Sequence, residues 1–125
     1  MNGIDFFVDT NVLIYTLEGN PAALNIIKYS FSFGVSVISE IELLGKKNIS
    51  QHEINIIRNL LNDCEIIDLN STIKEMAISL KQKYLIKIPD AIIAATAQRF
   101  GLPLITADRD FKKIKEVDIV LLDSI

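Results

Sequence analysis

Short apolar runs alternate along this chain with longer stretches in which apolar residues recur every three or four positions. The short runs are rich in β-branched residues and predict strands, whereas the longer stretches predict amphipathic helices. Strands are predicted at residues 4–8, 35–38, 64–69, 102–106 and 119–122. Helices are predicted after Thr10, after Pro21, at about residues 39–46, at about residues 50–62, from residue 70 or 71, and at residues 89–100.

This alternation predicts the fold class. Strands separated by helices form parallel β-α-β units with right-handed crossovers, so we expect an α/β protein. Its architecture should be a three-layer α/β/α sandwich around a central, mostly parallel five-stranded sheet. No linker, repeat or low-complexity segment divides the chain, so residues 1–125 are predicted to form one domain. Ligands of such folds bind outside the carboxyl ends of the strands, and chemistry is expected at that edge.

The composition narrows the function classes. Half of the residues are hydrophobic, but their runs are too short to cross a bilayer. The first residues lack the basic leader of a signal peptide, so we expect a cytoplasmic protein that does not bind membranes. The single cysteine, Cys64, has no disulfide partner and looks like a small core residue. The single histidine, His52, excludes a catalytic histidine pair, and the glycine-rich phosphate-binding motifs are absent.

The net charge of −3 argues against a protein that binds nucleic acid by bulk electrostatics. Neutralising four carboxylates with metal would change the net charge to +1 and remove the repulsion of a phosphate backbone. Basic residues also form two clusters: Lys81, Lys83 and Lys87, and then Arg109, Lys112, Lys113 and Lys115. A solvated surface is the commoner explanation of such clusters.

Two acidic residues follow predicted strands, and each also has an ordinary structural explanation. Asp9 ends the first strand, where Asp9, Thr10 or Asn11 would serve equally well as the N-cap of a helix. Asp108 follows the fourth strand in a turn, and Asp110 could share either role.

Two further acidic residues lie on predicted helices. Glu42 follows Ser39 at the S-x-x-E spacing of a capping box. Glu40 is the alternative acid, about 200° around the helix from Glu42, so only one of the two can face a given site. Asp90 lies at the start of an almost wholly apolar helix and is expected to be buried on most sides. The helix dipole would offset only part of the cost of a lone buried charge there.

Taken together, these acids point to a metal site. All four positions can converge on one edge of a parallel sheet, and carboxylates that close raise one another's pKa unless cations are present. Ligation by oxygen alone suits Mg²⁺ or Mn²⁺, which keep waters and accept substrate phosphates as further ligands.

The segments VDTNVLIY, ISEIELLG, IPDAIIAATA and LITADRDF resemble the ordered acidic motifs of PIN-domain ribonucleases, particularly the small VapC-like toxins of type II toxin–antitoxin modules. The resemblance extends from residue 6 to residue 111. It implies metal-dependent hydrolysis of RNA, with the following catalytic and metal-binding residues: Asp9, Glu42, Asp90 and Asp108. Glu42 is preferred to Glu40 because the ending ELLG matches the family's motif. Supporting roles are expected for Thr10, Asn11, Thr106 and Asp110.

The resemblance also implies partners. The substrate would be tRNA, rRNA or mRNA, and a small antitoxin protein would cover the acidic cleft with its tail. A homodimer built on helical surfaces is expected as well.

Two other functions remain open from the residues themselves. In a non-catalytic binding module, the acids would only cap helices and the lysine clusters would hold RNA or protein. In an aspartyl-phosphate phosphatase or receiver domain, Asp9 would be the nucleophile. The first strand lacks the second aspartate at plus two that such phosphatases usually have, and no acidic pair opens the chain as a receiver domain requires.

Overall fold

The computed structural model describes residues 3–30 and 32–122, so both ends of the predicted domain, residues 1 and 125, lie outside the described residues. The strands are β1 (Phe6–Val8), β2 (Phe33–Ser36), β3 (Glu65–Ile67), β4 (Leu104–Thr106) and β5 (Ile119–Leu121). The helices are α1 (Thr10–Leu17), α2 (Pro21–Tyr29), α3 (Val37–Leu44), α4 (Gln51–Leu61), α5 (Ser71–Lys83) and α6 (Ile88–Phe100). A short 3-10 helix (Arg109–Lys113) follows β4.

The five strands form one sheet in the order β3-β2-β1-β4-β5, and every neighbouring pair is parallel. The chain adds β2 and β3 on one side of β1 and then returns to add β4 and β5 on the other. The connections that leave β1 and β4 therefore diverge, which opens a crevice at the carboxyl ends of these two strands. Asp9 and Asp108 follow those strand ends.

Helices cover both faces of the sheet, which confirms the predicted three layers. Phe7 of β1 and Leu104 of β4 belong to a buried core shared with α5 and α6. Their neighbours Val8 and Ile105 belong to a second core shared with α1 to α4. Successive strand residues thus enter opposite cores, as the two-residue period of a strand requires.

A glycine on β2 allows the sheet to pack tightly against α6. A Cβ atom at Gly34 would lie only 2.5 Å from the ring of Phe7, so that ring occupies the space of a side chain. The Phe7 ring in turn stacks on Phe100, the last residue of α6, with 5.7 Å between ring centroids. This packing fixes the helix whose first turn carries Asp90.

One predicted boundary is wrong. Residues 35–38 were expected to form the second strand, but Val37 and Ile38 already belong to α3. The Ser36 side chain accepts a hydrogen bond from the backbone N–H of Ile38 at 3.1 Å, which caps the helix earlier than expected. The predicted capping box of Ser39 and Glu42 is therefore also wrong, because Ser39 already lies inside the helix.

The other helix signals behave as predicted. Asn70 caps α5 through a 2.9 Å hydrogen bond from the backbone N–H of Ile73. Gly101 ends α6 in the left-handed conformation, with φ of 64°. No helix among residues 3–30 and 32–122 is both long and apolar enough to cross a bilayer.

Candidate active site

Asp9 lies at the centre of the site, and its side chain is held by two hydrogen bonds. It is only 5% exposed and forms the N-cap of α1. Its Oδ1 accepts from the backbone N–H of Thr10 at 2.7 Å, and its Oδ2 accepts from the Thr106 hydroxyl at 2.8 Å. Asp9 is thus both a helix cap and a charged group at the crevice, so its two sequence interpretations are compatible.

The pKa of Asp9 is raised to about 6, chiefly because burial disfavours its charged form. The hydrogen bonds from Thr106 and Thr10 lower this pKa, whereas the negative charges of Asp90 and Glu42 raise it further. The protein therefore keeps a carboxylate where its charge is costly and surrounds it with other acids.

Thr106 connects Asp9 to the turn that carries Asp108. The Thr106 hydroxyl accepts from the backbone N–H of Asp108 at 3.0 Å, so its own proton is available for Asp9. Asp108 is partly buried, and its Oδ1 accepts from the backbone N–H of Asp110 at 3.0 Å, which caps the 3-10 helix. Asp110 is exposed beside it. The ends of β1 and β4 are thus joined through one buried hydroxyl.

Asn11 makes a second connection between the same strand ends. Its side-chain oxygen accepts from the backbone N–H of Ala107 at 3.3 Å. As an N-terminal residue of α1, it ties that helix to the segment following β4. This is a supporting contact of the kind predicted for Asn11.

Glu42 is linked to the site through Thr10. The Thr10 hydroxyl donates to Glu42 Oε1 at 2.6 Å and also lies 2.8 Å from the Ser39 hydroxyl. Because the single proton of Thr10 goes to Glu42, Ser39 must be the donor to Thr10. The three side chains form a directed chain from the buried Ser39 to the exposed Glu42.

Glu40 does not share this arrangement. Its negative charge raises the pKa of Cys64, after the larger effects of burial and of Asp63 and Glu65. Glu42, in contrast, raises the pKa of Asp9 and Asp90. The structure thus brings Glu42 toward the other acids and leaves Glu40 on another side of the helix.

Asp90 lies in the first turn of α6 and is only partly buried, so the expectation that it is enclosed on most sides is wrong. Residues 91–97 of this helix are buried, but Asp90 in its first turn lines an open cleft. The pKa of Asp90 is raised by burial, then by the charges of Asp108 and Glu42. Glu42 therefore raises the pKa of both Asp90 and Asp9, and Asp90 itself raises the pKa of Asp9.

A divalent cation fits the chemistry of this site. No salt bridge to a basic side chain involves the four acids within residues 3–30 and 32–122, so their charges are not balanced in that way. In the same part of the chain, no three Asp, Glu, His or Cys side chains already lie together as ligands of one ion. Carboxylate oxygens are the ligands that a hydrated Mg²⁺-type ion takes, often only one or two of them directly, with water and phosphate as further ligands.

Ser39 contacts the site in a role that its sequence pattern does not predict. The pattern predicts a helix cap, yet the fully buried hydroxyl of Ser39 supports Thr10. Its spacing of three residues from Glu42 was the available signal, because such residues share one helix face.

Several known proteins are similar to this chain in sequence or in fold. A chain in a toxin–antitoxin complex from Klebsiella pneumoniae is 33% identical, with a TM-score of 0.83 over 96% of this chain and 99% of that one. Ribonuclease VapC2 of Methanocaldococcus jannaschii is 27% identical, and the match covers 91% of each chain. DNA-bound VapBC from Salmonella typhimurium has the same fold, with a TM-score of 0.80 and 21% identity over 95% of this chain and 98% of that one.

The family model of the PIN domain matches residues 6–117, which include every acid of the site. The resemblance carried by the four acidic motifs is thereby confirmed: the chain belongs to the PIN-domain family.

Proposed function

We propose that this chain is a metal-dependent endoribonuclease that hydrolyses RNA phosphodiester bonds and acts as the toxin of a toxin–antitoxin pair. Membership of the PIN-domain family supports the nuclease activity, and so does the similarity to a protein named ribonuclease. One observation carries the proposal. Four acids from separate parts of the chain interact electrostatically at the crevice between β1 and β4, and none of them forms a salt bridge with a basic side chain among the described residues.

The proposed metal is Mg²⁺ or Mn²⁺, held by Asp9, Glu42, Asp90 and Asp108. When bound, such an ion supplies an activated water nucleophile and neutralises charge on the scissile phosphate. The raised pKa of Asp9 and Asp90 supports this assignment, because a cation would stabilise the charged forms that burial disfavours.

The remaining polar residues have positioning roles in this proposal. Thr106 holds one oxygen of Asp9 and thereby orients its carboxylate toward the crevice. Thr10 fixes an oxygen of Glu42, and Asn11 keeps the two strand ends together. Asp110 lines the same cleft as Asp90 and is exposed to an incoming substrate.

Covalent catalysis by Asp9 has less support. The second aspartate that such phosphatases usually have at plus two is Asn11 in this chain. Its side-chain oxygen accepts from the backbone N–H of Ala107, so Asn11 has a structural role there.

The experiment is cleavage of labelled tRNA, rRNA fragments and mRNA by the purified protein in Mg²⁺, Mn²⁺ or EDTA. Asp9→Asn and Glu42→Gln should each abolish cleavage, because each removes a proposed metal ligand. Glu40→Gln is the matched control, since it changes the same charge on the same helix, and it should cleave as the wild type does. Absence of metal-dependent cleavage of any RNA would favour the non-catalytic binding module. Full activity of Asp9→Asn would contradict the assignment of Asp9 as a metal ligand.

We further propose a small antitoxin protein as the partner and the cytoplasm as the place of action. A chain in a toxin–antitoxin complex is among the similar structures, which supports the partner. A basic side chain of the antitoxin entering the acidic crevice would form charge-assisted hydrogen bonds there and block the site. The predicted homodimer is tested by the molar mass of the purified chain in light scattering.

A further inference from the structure

A cleft of about 370 Å³ extends from the acidic site, and both acidic and basic side chains line it. The acidic residues of its lining are Asp90, Asp108 and Asp110, and the basic residues are Lys81, Lys87 and Lys113. Its volume falls within the range of small-ligand pockets, so it can take a fragment of a single strand rather than a double helix. The basic residues from the two sequence clusters thus meet beside the acids.

Two of these lysines hold the segment between α5 and α6. Lys81 Nζ donates to the backbone carbonyl of Ile86 at 2.7 Å, and Lys113 Nζ donates to that of Leu85 at 2.6 Å. The two ammonium groups come from α5 and from the 3-10 helix, so the segment is fastened from both sides. It therefore forms a defined rim of the cleft.

Tyr84 fastens the beginning of the same segment. Its hydroxyl donates to Glu116 at 2.8 Å and accepts from the backbone N–H of Lys115 at 3.2 Å. Glu116 also forms a 2.7 Å salt bridge with Lys83. Lys83 is thereby engaged away from the cleft.

Lys87 differs from these lysines. It is exposed at the end of the fastened segment, and within residues 3–30 and 32–122 its ammonium forms neither a hydrogen bond nor a salt bridge. Its side chain lines the cleft one helical turn before Asp90. Its charge lowers the pKa of Asp90, against the larger effects of burial and of Asp108. All three of its donors are available to a ligand beside the acids.

We propose that Lys87 binds a backbone phosphate of single-stranded RNA next to the phosphate that is cleaved, and that Lys81 and Lys113 position it by fastening the segment. This inference rests on the proposed ribonuclease function. An ammonium is a compact cation that binds a phosphate through charge, and releasing counterions makes such a contact sensitive to salt.

The test measures kcat and KM of Lys87→Ala, Lys87→Arg and Lys47→Ala on a single-stranded RNA substrate at several salt concentrations. Lys47 is the matched control: it is exposed beyond the C-terminal end of α3, it does not line the cleft, and its loss changes the net charge equally. Lys87→Ala should raise KM about five- to tenfold with kcat nearly unchanged. Its plot of log(kcat/KM) against log salt should be shallower by roughly 0.7 to 1. Lys87→Arg should keep both values near those of the wild type.

A KM and a salt slope of Lys87→Ala equal to those of Lys47→Ala would overturn the proposal. If the wild type cleaves no RNA, the ribonuclease function fails by itself, and the same variants are then compared with the wild type by the salt dependence of their RNA binding. A loss of binding confined to Lys87→Ala would then still support the phosphate contact.

Discussion

Two threonine hydroxyls connect acids of the site to the rest of the protein, and they differ in burial. Thr106 is fully buried and joins Asp9 to the backbone of Asp108. Thr10 is only partly buried and joins the exposed Glu42 to Ser39. Each hydroxyl accepts one hydrogen bond and donates another to a carboxylate, so the local chemistry is the same.

The difference between the two links lies in the surroundings of the carboxylate. Asp9 is almost free of solvent, so the bond from Thr106 offsets part of the cost of its charge, and its pKa is still raised to about 6. Glu42 remains solvated, so the bond from Thr10 orients its side chain more than it stabilises its charge. We therefore expect the buried link to affect stability and the exposed link to affect mainly activity.

The largest expected effect is the pH dependence of stability contributed by Asp9. Burial raises its pKa from 3.8 to about 6 in the folded, metal-free protein. The folded state therefore binds this proton more tightly than the unfolded chain does, and the resulting stability is lost as pH rises from about 4 through about 6. Asp9→Asn cannot ionise and should be more stable than the wild type at pH 7 in EDTA, by about 2 to 3 kcal/mol.

Urea denaturation from pH 3 to pH 8 measures this difference. The two proteins should have nearly equal stability at pH 3 and should diverge above pH 4. Addition of Mg²⁺ should raise the stability of the wild type more than that of Asp9→Asn, because only the wild type keeps the full set of acids. If the free energies of unfolding of the two proteins differ by the same amount at every pH, burying the charged form of Asp9 does not have the cost described.

The next effect is loss of the buried link in Thr106→Val. This substitution keeps the shape of the side chain but leaves an oxygen of Asp9 and the backbone N–H of Asp108 without their partner. We expect the free energy of unfolding, measured by urea denaturation at pH 7 in EDTA, to fall by about 1 to 2 kcal/mol. The pKa of Asp9 should rise above about 6, because the hydrogen bond from Thr106 lowers it.

Thr10→Val is the matched control for this prediction, because it removes the same hydroxyl from the exposed link. Its stability should fall by less than about 1 kcal/mol, because only one of its two partners, the Ser39 hydroxyl, is buried, while RNA cleavage falls as the orientation of Glu42 is lost. Equal losses of stability in the two variants would show that burial does not distinguish the two links.

Most of the fold could be predicted because its signals are local. Apolar runs, the N-cap at Asn70 and the stop at Gly101 each act within a few residues. The start of α3 was misplaced for a physical reason: residues 35–38 have the β-branched character of a strand, but the Ser36 side chain begins the helix. A side-chain hydrogen bond of this kind outweighs a weak residue preference.

The site was predictable only in part, because its contacts join distant positions. Asp9 and Thr106 lie 97 residues apart in sequence and meet only because β1 and β4 are neighbours. Both positions could be predicted because ligands of such folds bind outside the carboxyl ends of the strands. This rule could not indicate that Asp90 faces an open cleft or that Lys87 lies free beside it, since both depend on how the segment between α5 and α6 is fastened.

The smallest effect is expected for Ser39→Ala, because Ser39 contacts Glu42 only through Thr10. Ser39 donates to Thr10, and Thr10 in turn donates to Glu42. Without the serine hydroxyl, Thr10 keeps its proton for Glu42 but loses the bond that fixes its direction.

We expect kcat for RNA cleavage by Ser39→Ala to fall about three- to tenfold, less than the loss of a direct ligand contact would cost, and stability to fall by less than about 1 kcal/mol. Thr10→Ser keeps a hydroxyl at the next position and should retain most of the activity. If Ser39→Ala lowers stability but leaves kcat unchanged, then Ser39 contributes only to packing, and Thr10 orients Glu42 without it.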